Sequence, residues 1–407
     1  MFEQVQAIRE VTGAGENLLL CGDSTTPLPE LTPYLGKVQC VYLDPPFMTG
    51  DAFTRRRRYG AKGWRTGNPA PAYPAYEDPC KDRGLYLSRL RGMVEQAHRL
   101  LAPTGVLLLH LDWRMAAYAR LLCDEVFGEK RFLNEIIWAY ESGGRAKRHF
   151  SRKHDVILVY ARSPRYRFDL TRVPLERSAA RRNHMRRAVD EEGRSYRSIR
   201  SGGKTYRYYE DAPVYPGDVW TDISHLQQRD PERTGYATQK PLKLLDRLLR
   251  PFVREGDLVC DLCCGSGTTL AAAQQLGCRF IGVDISPEAL LVARSRLTQD
   301  SVTLLCPAAS DAAPLEATFN DNVLLLTDFG AQHPQFPVTE QTFDRLESWA
   351  AGYWTEDGMV ALQHFQRTVR QPDLPLMCFL PELPGDLAVS TVDAAGMRRM
   401  YRWHTAP

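Results

Sequence analysis

The chain has 407 residues, 43% hydrophobic and 25% charged, and 52 Lys+Arg against 49 Asp+Glu give a formal net charge of +3. This composition excludes the disordered, collagen-like and small disulfide-stapled classes, and at about 150 residues per domain the length predicts two to three domains. No apolar run approaches the roughly 18 residues of a membrane span, and MFEQVQAIRE lacks the pattern of an export signal, so a cytoplasmic protein with no membrane contact is expected.

The first strand is predicted over residues 17–21, ending in Gly22-Asp23, and a short helical stretch follows. An apolar strand at 38–43 runs directly into Asp44-Pro45-Pro46-Phe47. Residues 48–79, rich in Arg, Gly, Pro and Tyr, read as a long loop. A helix with apolar positions from Leu87 to Leu101 stops at Pro103-Thr-Gly105. A buried strand at 106–111, a helix at 116–126 and strands at 135–139 and 155–160 come next. The alternation resumes with a helix near Pro241, a strand at 258–262, a glycine turn, a helix at 268–276 and a strand at 280–283. Strands alternating with helices predict an α/β fold with a mostly parallel, helix-covered sheet. After residue 300 the pattern loosens, with one strand expected at 323–326.

The near-neutral total conceals an uneven distribution. Residues 162–209 carry +9, residues 301–407 carry −7, and the remainder only +1. The ten cysteines suggest reduced thiols. Cys260, Cys263 and Cys264 have no second ligand pair at metal spacing and read as small hydrophobes, so no metal is expected.

Asp261-Leu-Cys-Cys-Gly-Ser-Gly-Thr-Thr269 lies between a strand and a small-residue helix. Gly265 and Gly267 allow a tight turn and close approach of a ligand, and the helix start at Thr268 and Thr269 presents free N–H groups. Asp284 closes the next strand, where a carboxylate can accept from ribose hydroxyls. The geometry serves nicotinamide cofactors and S-adenosylmethionine alike. Asp44-Pro-Pro-Phe47 sits at a strand's carboxyl end, where open α/β sheets bind ligands. The prolines stiffen the corner and leave carbonyls that only accept. A carboxylate beside a rigid carbonyl can grip both hydrogens of an exocyclic amine, and the aromatic offers a stacking face for a flipped base.

Together these motifs resemble the β class of DNA amino-methyltransferases, which use S-adenosylmethionine: the catalytic motif comes first and the basic segment lies between the two. Gly22-Asp23-Ser24, His110-Leu-Asp-Trp113, Asn134-Glu-Ile-Ile-Trp138, the stretch 153–160 and Gly235-Tyr-Ala-Thr-Gln-Lys-Pro241 agree, so the resemblance covers about residues 16–300. It implies a Rossmann-like methyltransferase fold with a catalytic half at 1–161, a basic target-recognition insert at 162–209, a cofactor half at 210–300 and an acidic accessory domain at 301–407.

The resemblance places the target amine on Asp44 and the Pro45 carbonyl, stiffened by Pro46, and stacks the base on Phe47. It lays Gly265, Gly267 and Thr268 against the methionine part of the cofactor and Asp284 on its ribose. Asp23 falls by the adenine or sulfonium end, and Thr238 and Lys240 close over the methionine carboxylate. Asp261, Cys263, Ser266, Thr269 and Ile285 complete that surface. Two departures stand out: Leu262-Cys263 where Pro-Phe is common, and Phe47 for Tyr, which keeps the π-face and loses the hydroxyl.

DNA contact is expected from Arg181, Arg182, Arg186, Arg187, Arg197, Arg200, Lys204 and Arg207, interleaved with tyrosines. The reaction implied is direct in-line transfer to an amine of double-stranded DNA without a covalent intermediate. N6 of adenine is favoured, with N4 of cytosine as the alternative. A nicotinamide-dependent oxidoreductase and a non-catalytic DNA-binding subunit are more distant readings. A homodimer and a companion restriction endonuclease are the further partners the resemblance allows.

Overall fold

The computed structural model describes residues 2–47, 52–66, 69–77, 82–140, 146–175, 186–227, 230–236, 238–297, 301–332, 342–368 and 370–403, with backbone alone at 52–58, 69–77 and 186. Eight strands form the central part of the main sheet. They are β1 (Asn17–Cys21), β2 (Val38–Leu43), β3 (Leu101–Asp112), β4 (Phe132–Ala139), β5 (His154–Ala161), β6 (Leu258–Asp261), β7 (Arg279–Asp284) and β8 (Val302–Leu305). Their order is β8-β1-β7-β6-β2-β3-β5-β4, parallel from β8 to β3, with β5 antiparallel to both its neighbours.

Both faces of this sheet are covered, which is why its strands read as unbroken apolar runs rather than as alternations. Cys40, Tyr42, Val106 and Leu108 face α3 (Leu242–Leu249) and α4 (Thr268–Gln275). Val41, Leu43, Leu107 and Leu109 face α1 (Arg83–Leu100) and α2 (Ala116–Phe127). Asp82 caps α1 by accepting from the Leu85 N–H at 2.7 Å. A last helix, α5 (Pro287–Arg296), starts with Pro at its first turn behind the Ser286 cap.

Two expectations are corrected, those for residues 48–79 and for the chain beyond residue 300. Residues 48–79 are not one loop: strands Ala52–Arg58 and Pro69–Glu77 pair antiparallel around a helix at Gly60–Thr66. These strands pair with each other rather than with the core, so no apolar rhythm announces them. Residues 186–209 of the basic segment, for which no form was expected, fold as a separate antiparallel sheet of Arg186–Val189, Ser195–Ser201 and Lys204–Tyr209. Gly202 and Gly203, at φ +56° and +78°, make its two-residue turn. Beyond residue 300 the chain is strand-rich, and it stays in the main sheet. β8 pairs with β1, while Leu346–Thr355, Gly358–Gln366, Leu387–Asp393 and Arg398–Trp403 extend the sheet past Arg9–Thr12.

The acidic tail uses several of its carboxylates internally. Asp311 and Asp393 both hold the buried Arg399, Asp386 holds Arg402, and Arg398 reaches Glu10 at 2.8 Å. No helix among the described residues is long and apolar enough to cross a membrane.

Candidate active site

The glycine turn forms because β6 ends in a buried carboxylate and α4 starts abruptly behind a residue in the left-handed region. Asp261 accepts the Cys263 N–H at 3.0 Å and the Thr269 hydroxyl. Asp284, at the end of β7, accepts the Gly265 N–H at 2.8 Å and the Ser286 N–H at 2.9 Å, locking the turn to the neighbouring strand. The carbonyl of Asp284 in turn accepts from Gly22 N–H at 3.0 Å, which ties the Asp23 loop to the same edge.

A cavity of about 390 Å³ opens there, at the carboxyl ends of β1, β2, β6 and β7, within the range of cofactor sites. It brings together Asp44, Pro45, Pro46 and Phe47 with Asp23, Thr238, Lys240, Asp261, Cys263, Gly265, Ser266, Thr268, Thr269, Asp284 and Ile285. Gly267 is the exception. It has φ +74°, and a Cβ there would meet the Ala293 Cβ at 2.7 Å, so this glycine serves the packing of α5 rather than the cavity wall. Ile285 stands 66% exposed at the rim, an apolar face suited to a ring. Thr238, at φ +60°, holds a strained position for a β-branched residue.

Lys240 occupies a different place from the expected one. Its buried ammonium donates to Asp44 Oδ2 at 2.5 Å and lies 4.9 Å over the Phe47 ring. Asp44 Oδ1 is buried and has no hydrogen-bond partner among the described residues. One carboxylate oxygen is thus held and the other is left as an acceptor.

Several site residues escaped the sequence reading. Arg296, at the end of α5, donates to Ser266 O at 3.1 Å and Thr268 Oγ1 at 2.9 Å and faces Glu232 at 3.5 Å. It braces the glycine turn against the 232–242 loop. Beneath the Asp44 corner, His110 bonds Tyr42 Oη at 2.8 Å and Asp155 Oδ2 at 3.1 Å, and Tyr140 Oη donates to Asp155 Oδ1 at 3.0 Å. Phe47 stacks on His110 with ring centres 6.0 Å apart. Burial alone would raise the Asp155 carboxyl, but the His110 hydrogen bond and charge outweigh it and hold it below the usual range. The resemblance covered His110 and Asp155 without giving them a role.

Burial pushes Asp261 up to about 7, helped by the charges of Asp44 and Asp284, and pushes Asp284 up to about 6. The residues fit S-adenosylmethionine on this ground. Four carboxylates, Asp23, Asp44, Asp261 and Asp284, line one largely apolar cavity, and a cationic sulfonium would relieve their mutual repulsion. The raised values also set a pH dependence. Unfolded aspartate ionises near 3.9, so the folded state keeps its proton longer, and stability present at acid pH is lost as pH rises through about 7. For Asp261 this amounts to on the order of 3 kcal/mol between pH 5 and 8. Urea unfolding of the ligand-free protein should show that decline. Asp261→Asn, which stays neutral and still accepts from Cys263, should flatten it; an unchanged slope would refute the assignment.

In the basic sheet, Arg187 and Arg197 both reach Glu210, at 3.0 and 3.5 Å. Arg200, Lys204 and Arg207 are exposed, with Arg207 5.0 Å over the Tyr196 ring. Arg181 and Arg182 lie outside the described residues, as does the side chain of Arg186.

Residues 38–295 match the family model described as DNA methylase, of the N6/N4 type, and residues 259–351 match one described as methyltransferase domain. Similar relatives include the type II methyltransferase M.EcaI of Enterobacter cloacae, 24% identical over 316 residues, covering 66% of this chain and 67% of that protein. The type II methyltransferase M.HpaI of Haemophilus parainfluenzae is 27% identical over 53% of this chain and 60% of its own length. The DNA adenine methyltransferase YhdJ of Escherichia coli K12 is 26% identical over 64% of this chain and 76% of its own. The chain thus spans about two thirds of the length of these relatives. With a family match over more than half its length and the Asp44-Pro-Pro-Phe47 corner and glycine turn sharing one cavity, the chain belongs to the N6/N4 DNA methylases, the S-adenosylmethionine-dependent DNA amino-methyltransferases.

Proposed function

We propose that this chain transfers the methyl group of S-adenosylmethionine to an exocyclic amino group of a base in double-stranded DNA, N6 of adenine being the favoured target. The observation that carries the proposal is Asp44: one oxygen is fixed by Lys240 and the other is buried and unpaired at the wall of the cavity. When bound, S-adenosylmethionine supplies a methyl group already activated as a sulfonium. The chain's part is therefore positioning rather than activation. Asp44 Oδ1 and the Pro45 carbonyl accept the two amino hydrogens, which turns the nitrogen lone pair away from them and toward the electrophile. Phe47 offers its face to the base. Phe47 rests on the His110 ring, which hydrogen bonds to Tyr42 and Asp155 hold in place.

The partners on this reading are DNA, met in the cytoplasm, and at one remove an endonuclease that cuts the same sequence when it is unmethylated. A homodimer is a further assembly that the resemblance allows. Sequencing of modified bases in DNA from cells expressing the chain tests the target. N6-methyladenine at one recurring motif is expected; N4-methylcytosine would assign the same geometry to cytosine, and an unmodified genome would overturn the proposal.

The basic sheet supplies a second expectation. Exposed cations that bind phosphate release counterions, so each loss should reduce the slope of log K against log salt by about 0.9. Arg200→Ala, Lys204→Ala and Arg207→Ala should each show this in a fluorescence-anisotropy titration with duplex DNA. Arg187→Ala and Arg197→Ala should change the slope less, because Glu210 already neutralises part of their charge. Equal slopes for all variants and the native chain would remove this sheet from the DNA interface.

A further inference from the structure

A second basic element rises from the edge of the sheet that carries Asp44. It lies outside the 162–209 segment. Residues 140–153 join β4 to β5, and β5 begins opposite the end of β3: Asp112 pairs with Asp155, and Ala139 pairs with His154. Leu43, the last residue before Asp44, pairs with Leu109 of the same β3. The ends of this connection, Tyr140 and Lys153, therefore stand at the same end of the sheet as the Asp44 corner.

Residues 146–153 contain Lys147, Arg148, Arg152 and Lys153 and no carboxylate. The element is fastened at its base: the Tyr140 N–H donates to Lys153 O at 3.0 Å, and the Ala146 N–H donates to Ser151 Oγ at 3.1 Å. Phe150 is 98% exposed, more than any other large hydrophobic residue described. Arg152 lies 3.8 Å over the ring of Trp113, which follows Asp112 at the end of β3, and Arg114 sits 5.0 Å from the same ring.

A phenylalanine held in water by cations on both sides has no packing role within the chain. Its surroundings match one partner chemistry. Cations pair with phosphates, and an aromatic face or wedge stacks against bases or enters between them. An enzyme that extrudes its target base leaves a gap in the duplex, and filling that gap offsets part of the lost stacking. We propose that residues 146–153 form a DNA-contacting loop in which Phe150 enters the duplex beside the extruded base, while Arg152, steadied on Trp113, holds the adjoining phosphate. The inference rests on the methyl-transfer reading above.

The test uses the full-length chain and an oligonucleotide duplex containing the methylated motif found by sequencing. Phe150→Ala, at a fully exposed position, leaves folding intact. It is expected to lower kcat/KM by about tenfold on the paired duplex, the usual cost of losing one base–aromatic contact. The defect should shrink to within about twofold when the target base is mispaired, because extrusion then costs less. Arg152→Ala should reduce the salt slope of binding by about 0.9. Full activity of Phe150→Ala on the paired duplex, or an equal loss on paired and mispaired DNA, would overturn the loop's role. A native chain that binds S-adenosylhomocysteine yet methylates no DNA would instead overturn the reading on which it rests.

Discussion

Asp44→Ala is expected to reduce methyl transfer by about a thousandfold or more, the scale seen when one oriented polar contact to the reacting group is removed. Affinity for S-adenosylhomocysteine, measured by isothermal titration, should stay within about twofold, since the glycine turn is built by Asp261, Asp284 and Arg296 rather than by Asp44. The substitution also strands the buried Lys240 ammonium, and breaking one side of a buried pair costs about 3–5 kcal/mol. Asp44→Asn separates the two effects. Its amide keeps an oxygen for Lys240 but turns a donor toward the target amine, so folding should hold while transfer still falls by roughly two orders of magnitude. Normal turnover by either variant would contradict the assignment of Asp44.

The second large effect is structural. Gly267→Ala should destabilise the protein by about 3 kcal/mol: about 1–2 from forcing a side chain into the left-handed region, and the rest from overpacking. The new methyl would lie 2.7 Å from the Ala293 Cβ and 2.9 Å from its Cα, and a helix backbone cannot swing aside as a long side chain can. To make room, α5 must shift, and Arg296 with it, so cofactor affinity should fall alongside the urea midpoint. At Gly265 the obstacle is the Tyr236 ring at 3.3 Å, which can give by a few tenths of an ångström, so Gly265→Ala should unfold less readily. Equal stability of Gly267→Ala and the native chain would show that the turn tolerates a Cβ.

What could be read from the sequence was the part written in adjacent residues. The strand-to-turn punctuation at Asp44-Pro-Pro-Phe47 and at Asp261–Thr269 marks both motifs, because each combines an apolar run, a carboxylate and special backbone residues within nine positions. The partners of those motifs are distant in sequence. Lys240 and Asp44 are 196 residues apart, and His110 and Asp155 are 45 apart. Nothing local tells a lysine that reaches a catalytic carboxylate from one that closes on a cofactor. Arg296 sits in a helix whose alternation of Arg and Ser looks like a solvated end, yet it is nearly buried under the glycine turn. The strands after residue 300 hid for another reason. Leu315–Asn320 alternates with exposed residues, while Leu387–Asp393 is buried at six of seven positions yet carries Ser390, Thr391 and Asp393, the last paired with Arg399, so its apparent hydrophobicity is low.

The charge distribution gained meaning in the same way. Residues 186–209 of the +9 segment form a small sheet with Arg200, Lys204 and Arg207 outward, and part of the −7 tail is the internal complement of Arg399 and Arg402. The proposed DNA contacts rest on the exposed cations of the basic sheet and of the 146–153 loop.

The central claim is that Asp44 and the glycine turn act as one transfer site, and labelled methyl transfer with purified protein tests it most directly. S-adenosylmethionine carrying a deuterated methyl group, duplex DNA and the native chain should yield deuterated N6-methyladenine on nucleoside mass spectrometry, and Asp44→Ala should yield none while still binding S-adenosylhomocysteine. A native chain that leaves the DNA unlabelled, or an Asp44→Ala chain that labels it at the native rate, would contradict the account.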